Sequence, residues 1–332
     1  MDLILSKKLY NPPIDKILKS NGNKITLGED NESCKIGGMI NQSPILILGS
    51  IGLDTIETQY GKRSELLGGS ATYATIAAGL FSPIHLIGIV GSDFPESAYK
   101  LLLKYTANTE DLIIENGPTF RWGGRYHENG DDRDTLFTEL GVFAEFDPVL
   151  SEPNRKARWV FLANIHPALQ IKVLEQCQGN PLVVTDTMNL WIKTTSLELN
   201  EIIRCTNVLL INESELREYT GLDEVRDGAE KILMMGPEKV VVKLGSKGAI
   251  CIDQNEEIKT GVYPVPKVID PTGAGDVFGG GFISGLSEGL PIIEAMKRGT
   301  ALASFCIEDF GTSMLDNITR SDIDERIAQL KN

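Results

Sequence analysis

The apolar residues of this chain gather in short continuous runs. Pro44-Ile45-Leu46-Ile47-Leu48-Gly49 comes first, and similar runs recur at 84–90, 159–163, 182–185, 208–211 and 240–244. Between them the apolar period becomes helical, over 71–80, 168–176, 214–219 and 229–235. A strand that is apolar at every position is buried on both faces. The alternation therefore predicts an α/β fold, a mainly parallel central sheet with helices on both faces. Ligands of such sheets gather at the carboxyl ends of the strands. Two segments break the rhythm. Residues 55–67 read as a polar hairpin around Gly61, and 118–143 place Phe120, Trp122 and Tyr126 in alternation before a charged turn, 129–132. Both read as β-ribbons projecting from the body, together a small lid or else ordinary surface hairpins.

Residues 1–43 differ in composition. They are polar, rich in Asn and Lys, and carry Pro12-Pro13, Gly22 and Gly37-Gly38. They read as an extension outside the core, with disorder as one expectation, and residues 44–332 as the folded domain. A start codon assigned too early, with Met39 just ahead of the first strand, and a regulatory or oligomer arm are both open explanations.

The net charge of −14 over 332 residues argues against a phosphate-backbone partner such as nucleic acid. No apolar stretch is long enough to span a bilayer, and Lys7 and Lys8 interrupt the N-terminal Leu3-Ile4-Leu5, so neither a membrane span nor a signal peptide is expected. The five cysteines, Cys34, Cys177, Cys205, Cys251 and Cys306, and the three histidines, His85, His127 and His166, are widely spaced. That pattern points to a reducing cytoplasm and away from a histidine-ligated metal.

The strongest chemical signal is Asp270-Pro271-Thr272-Gly273-Ala274-Gly275-Asp276, followed by the small-residue segment 277–286. Glycines let the backbone approach a ligand, and unpaired N–H groups at a helix start favour an anion such as a transferring phosphoryl group. Asp276, at that same helix end, can accept the proton of an attacking hydroxyl.

This string resembles the C-terminal signature of the ribokinase-like (PfkB) carbohydrate kinase family. Other segments agree in order: Gly49-Ser50-Ile51-Gly52-Leu53-Asp54, Gly68-Gly69-Ser70-Ala71-Thr72-Tyr73-Ala74, 87–93, Asn212-Glu213-Ser214-Glu215, and 241–248. The resemblance covers residue 44 to the C-terminus. It implies ATP-dependent phosphorylation of a hydroxyl on a sugar or sugar-like molecule, with Mg2+. Asp276 would be the base, and Gly273, Ala274 and Gly275 the anion hole. Asp54, expected at the end of the first strand, would bind the substrate with Gly68, Gly69 and Asn164. Asn212, Lys243, Gly245, Gly248 and Thr272 would serve the nucleotide, and Glu215 magnesium through water. Asp270 would serve a monovalent cation, with K+ as the ion, although Pro271 removes an N–H and a hydroxyl from that segment. The resemblance also makes the lid a candidate homodimer surface.

Plainer readings stand beside these. Asn212 fits a helix N-cap, Asp54 a turn cap, and Lys243 a solvated strand end. Arg121, Arg125 and Arg133 can grip an anionic substrate or belong to a salt-bridged ribbon with Glu128, Asp131, Asp132, Asp134 and Glu139. His166, Asp186 and Asn189 follow strand ends and are weaker pocket candidates. Ser70 and Tyr73 stand where ribose kinases have Lys and Asn, which weakens a ribose assignment. A nucleoside kinase of the same fold and a non-catalytic sugar- or nucleotide-binding regulator are the alternatives. A Rossmann-type dehydrogenase is set aside, because no Gly-x-Gly-x-x-Gly follows the first strand.

Overall fold

A computed structural model of the chain describes residues 43–127 and 133–330. The extension up to residue 42 and the charged turn expected at 129–132 lie outside the described residues, as does Glu128. Among the described residues the strands are β1 (Ile45–Leu48), β2 (Gly52–Thr58), β3 (Gly61–Gly68), β4 (Ile84–Gly91), β5 (Leu112–Glu115), β6 (Arg121–Tyr126), β7 (Arg133–Glu139), β8 (Trp159–Leu162), β9 (Leu182–Asp186), β10 (Val208–Asn212), β11 (Lys239–Lys243), β12 (Ala249–Ile252) and β13 (Glu257–Thr260).

Nine of them form one sheet in the order β13-β12-β11-β10-β9-β8-β1-β4-β5. From β11 to β5 every neighbouring pair is parallel; β12 and β13 extend the far edge as antiparallel strands. The continuous apolar runs explain the burial. In β1, Ile45 and Ile47 join the core on one face, while Leu46 and Leu48 join the core on the other. Helices Ser70–Gly79, Ala274–Ser287 and Ile292–Cys306 contribute to the first face, and Ser196–Arg204, Glu213–Thr220 and Val225–Leu233 to the second. Truncating a fully buried residue such as Ile47 to Ala would cost about 2–5 kcal/mol, a large part of a typical domain's stability.

A four-stranded sheet, β3-β2-β6-β7, stands apart as the expected lid, with β2 and β6 parallel at its centre. Its inner face packs Ile56 and Tyr126 against Phe310 of the body. One expectation changes here. Asp54 does not end the first strand, because the chain breaks after Leu48 and re-enters as β2, so Asp54 belongs to the lid sheet. The break falls at Gly49-Ser50, where the Ser50 and Ser70 backbones exchange hydrogen bonds with each other's hydroxyls instead of a ladder.

Candidate active site

The sheet order reverses at β1, which lies between β4 and the much later β8. Open α/β sheets leave a crevice at such a point. Ser50 follows β1, Asn164 follows β8, and Asp186, Asn212 and Lys243 end β9, β10 and β11. These groups, scattered in sequence, share one edge of the sheet.

On the lid side of the crevice, Asp54 is 4% exposed and accepts the backbone N–H of Gly69. A Cβ on Gly68 would overlap the Asp54 carboxylate, so that close approach requires glycine. Burial, followed by the charge of Asp270, pushes Asp54 up to about 7. Ser70 ties this floor to the next strand, its hydroxyl donating to the Asn164 carbonyl at 2.7 Å. The Asn164 side chain bonds to Trp191 and Met188.

Facing this is the start of helix Ala274–Ser287. Its N-cap, Gly273, has φ of 77° and provides no side-chain cap. A Cβ there would sit in a left-handed conformation and 2.5 Å from the ring of buried Tyr73. The uncapped first turn offers N–H donors and the positive end of the helix dipole to an anion. Asp276 lies in this turn, partly open to the crevice. Burial, then the charge of Asp186, pushes its carboxyl up to about 7. Lys243 reaches the same place, because a Cβ on Gly275 would lie 3.2 Å from its Nζ. Asp186 holds that ammonium at 2.7 and 2.9 Å. Burial opposes the charge on Lys243, but attraction to Asp186 and Glu215 outweighs it and keeps the ammonium above its ordinary range.

Asn212 and Glu215 form a capping box: the Asn212 side chain accepts from Glu215 N at 2.8 Å, and Glu215 Oε2 accepts from Asn212 N at 3.0 Å. The cap coexists with a position at the end of β10, within electrostatic reach of Lys243 and Asp186. Burial raises the Glu215 carboxyl, and the charges of Lys243 and Asp186 act on it. Among the described residues no cluster of three His, Cys, Asp or Glu side chains gathers to hold a metal directly, and a lone hard carboxylate such as Glu215 suits only a magnesium ion that keeps its waters. Asp270 sits beneath the glycine turn, 1% exposed, accepting from Thr272 N at 2.9 Å and Gly311 N at 3.0 Å. Thr272 donates its hydroxyl to that of Tyr126, a contact between turn and lid.

Beyond Lys243 and Gly275 opens a cavity of about 790 Å³, lined also by Ala274, Gly245 and Gly248. Its far wall is the segment 262–269 together with Thr300, Ala303, Ser304 and Ile307, which sequence reading did not single out. The signal was present as an apolar stretch, Val262-Tyr263-Pro264-Val265-Pro266, too long for a surface turn. Thr300 lines this cavity, and its buried hydroxyl has no hydrogen-bond partner within the protein. An ATP-sized molecule fits the volume, and the inner end of the cavity meets the uncapped helix start at Ala274 and Gly275.

The lid arginines divide. Arg121 pairs with Glu65 and Asp93, and Arg125 with Glu57, as in a salt-bridged ribbon. Arg133 lies over the Trp122 ring at 5.5 Å, and its charge acts on Asp54, Asp276 and Glu215. His166 caps helix Pro167–Gln176, and Asn189 opens an outer helix with its side chain exposed.

Comparison with known proteins agrees with this fold. Residues 45–318 match the model of the pfkB family carbohydrate kinases. A cytidine kinase of Thermococcus kodakarensis is 28% identical over 273 residues, covering 80% of this chain and 97% of the relative. The crystal structure of a Methanocaldococcus jannaschii nucleoside kinase superposes with a TM-score of 0.72 at 24% identity, over 86% of this chain and 98% of that one. Arabidopsis thaliana ribokinase, solved with ribose and ATP, superposes with a TM-score of 0.70 at 22% identity, with the same two coverages.

Proposed function

The chain belongs to the pfkB family of carbohydrate kinases, and from that premise we propose how its residues divide the work of an ATP-dependent kinase acting on a hydroxyl of a sugar or nucleoside. The observation that carries the reading is Asp276 in the first turn of an uncapped helix, with Gly273 in the left-handed conformation before it and Lys243 beside it. Asp54 accepts hydrogen bonds from acceptor hydroxyls. Asp276 takes the proton of the hydroxyl that attacks in line. The N–H groups of the first turn and Lys243 stabilise charge on the transferring group. Glu215 would hold a magnesium ion through water, and the ion would neutralise charge on the ATP phosphates. The nucleotide lies in the cavity between Gly245, Gly248 and the segment 262–269. The lid, already packed on Phe310, excludes water that would otherwise hydrolyse ATP.

Further parts of the reading are a K+ ion beside Asp270, a homodimer through the lid, and a cytoplasmic setting. The exposed edge strand β7, with Leu136 and Phe137, supports the dimer. Activity in potassium-only and sodium-only buffers tests the ion, and light scattering tests the dimer. Among the described residues no helix is long and apolar enough to cross a membrane.

The decisive experiment measures acceptor-dependent ADP release over a panel of ribose, deoxyribose, fructose 6-phosphate, cytidine and adenosine, with ATP and Mg2+. Release with one class assigns the acceptor. ATP binding with no release for any acceptor would favour a non-catalytic regulator.

A further inference from the structure

Trp191 lies outside every motif considered so far, in the short helix Asn189–Thr194 after β9. Its indole nitrogen donates to Asn164 Oδ1 at 2.8 Å. An indole N–H can only donate, so the atom it meets must be the amide oxygen. This fixes the orientation of the Asn164 side chain without reference to any ligand. The amide nitrogen then points the other way, with Met188 Sδ at 3.1 Å. A thioether is a weak acceptor, and the NH2 group carries two hydrogens, so Nδ2 retains a donor to give. His166 braces the arrangement, its ring edge-on to Trp191 with centroids 5.1 Å apart.

The position of this amide is set by the acceptor floor. The Asn164 carbonyl takes the Ser70 hydroxyl, and the preceding residue, Gly69, gives its N–H to Asp54. Asn164 is half-buried, neither sealed in the core nor fully in solvent. We infer that Trp191 is a positioning residue for the acceptor: it locks the Asn164 amide so that Nδ2 donates to an oxygen of the bound sugar ring while Asp54 accepts from a hydroxyl. This rests on the kinase reading and adds a polarity to its acceptor site, one fixed donor and one fixed acceptor. A ring that presents a hydroxyl hydrogen on one side and a hydroxyl or ether oxygen on the other satisfies both.

Two substitutions separate this from a purely structural link. Asn164→Asp keeps an oxygen for the indole and replaces the donor by an acceptor. Trp191→Phe keeps the ring and frees the amide to rotate. Steady-state assays vary ribose and cytidine against fixed ATP, then ATP against fixed acceptor. Asn164→Asp should raise the acceptor KM at least tenfold and leave the ATP KM within twofold. Trp191→Phe should raise the acceptor KM about 2- to 13-fold, the loss of one neutral hydrogen bond, with kcat within twofold. An unchanged acceptor KM in Asn164→Asp, or equal losses for both substrates, would overturn the inference. A second readout needs no substrate. Of three tryptophan indole resonances, the one lost in Trp191→Phe should stay in the hydrogen-bonded, downfield range in Asn164→Asp and move upfield in Asn164→Leu. Its indifference to Asn164→Leu would also overturn the inference. If wild-type protein turns over neither acceptor while the indole responds as expected, the acceptor class has failed and the amide lock stands.

Discussion

Replacing Asp276 by Asn keeps the shape of the side chain and removes its charge and its proton affinity. As general base, Asp276 should contribute on the order of 10²–10⁴ to kcat, roughly 3–5 kcal/mol of the barrier. The same carboxylate should cost stability. Its folded value, about 7, lies above the ordinary 3.8 because of burial and the charge of Asp186. The fold therefore favours the protonated form. That advantage is complete below about 4 and is lost as pH rises towards 7, so the ionised group costs up to about 4 kcal/mol at pH 8, less whatever water in the crevice recovers. Asp276→Asn should thus be far slower than the parent and yet melt higher at pH 8, with the gain shrinking to nothing near pH 4. Acceptor kcat/KM of the parent should climb with pH to a plateau above about 7. Because Asp54 also lies near 7 and feels the Asp276 charge, that limb belongs to the two carboxylates together. The assays are ADP release across pH and thermal melts at pH 4, 5 and 8. Turnover within tenfold of the parent would remove Asp276 from proton transfer, and a lower melting temperature at pH 8 would refute the burial argument.

Four further outcomes follow from the same geometry. Asp54→Ala should weaken acceptor binding about 10- to 150-fold, the worth of hydrogen bonds to a charged group, and leave ATP affinity unchanged in separate calorimetric titrations. Lys243→Met strands the buried Asp186 carboxylate and should cost about 3–5 kcal/mol in denaturant melts; adding Asp186→Asn should restore stability without restoring the ATP KM. Gly273→Ala imposes about 1–2 kcal/mol of left-handed strain and presses a methyl on Tyr73, so kcat should fall at least 100-fold while circular dichroism stays native. A chain begun at Met39 should fold and keep its activity, because composition changes near residue 43 and the family match opens at residue 45; an insoluble product would make the extension structural.

The central strands were legible because both faces of each are apolar, and six of them fall within a residue or two of the runs at 44–49, 84–90, 159–163, 182–185, 208–211 and 240–244. β5 and β13 were not. They lie at the sheet edges, where Ile113 and Ile114 are exposed and no two-sided apolar pattern forms. The glycine turn was legible as chemistry because an uncapped helix start needs those residue types. Asp54 was legible as a buried carboxylate, but its strand was misplaced, since nothing local distinguishes the end of β1 from the start of β2. The Asp186–Lys243 pair spans 57 residues and the Trp191–Asn164 bond spans 27, and each exists only because parallel strands end side by side. Sequence periodicity carries no record of such neighbours. Arg133 resembled its lid companions in sequence, and only the docked lid sets it apart from Arg121 and Arg125.

Phosphoryl transfer to an acceptor hydroxyl is tested most directly by phosphorus NMR of the purified chain with ATP, Mg2+ and each acceptor of the panel. The predicted result is a new phosphomonoester signal with one acceptor class, growing in step with ADP, absent without acceptor and absent in Asp276→Asn. Inorganic phosphate appearing at the same rate with or without every acceptor, and no phosphomonoester, would contradict it.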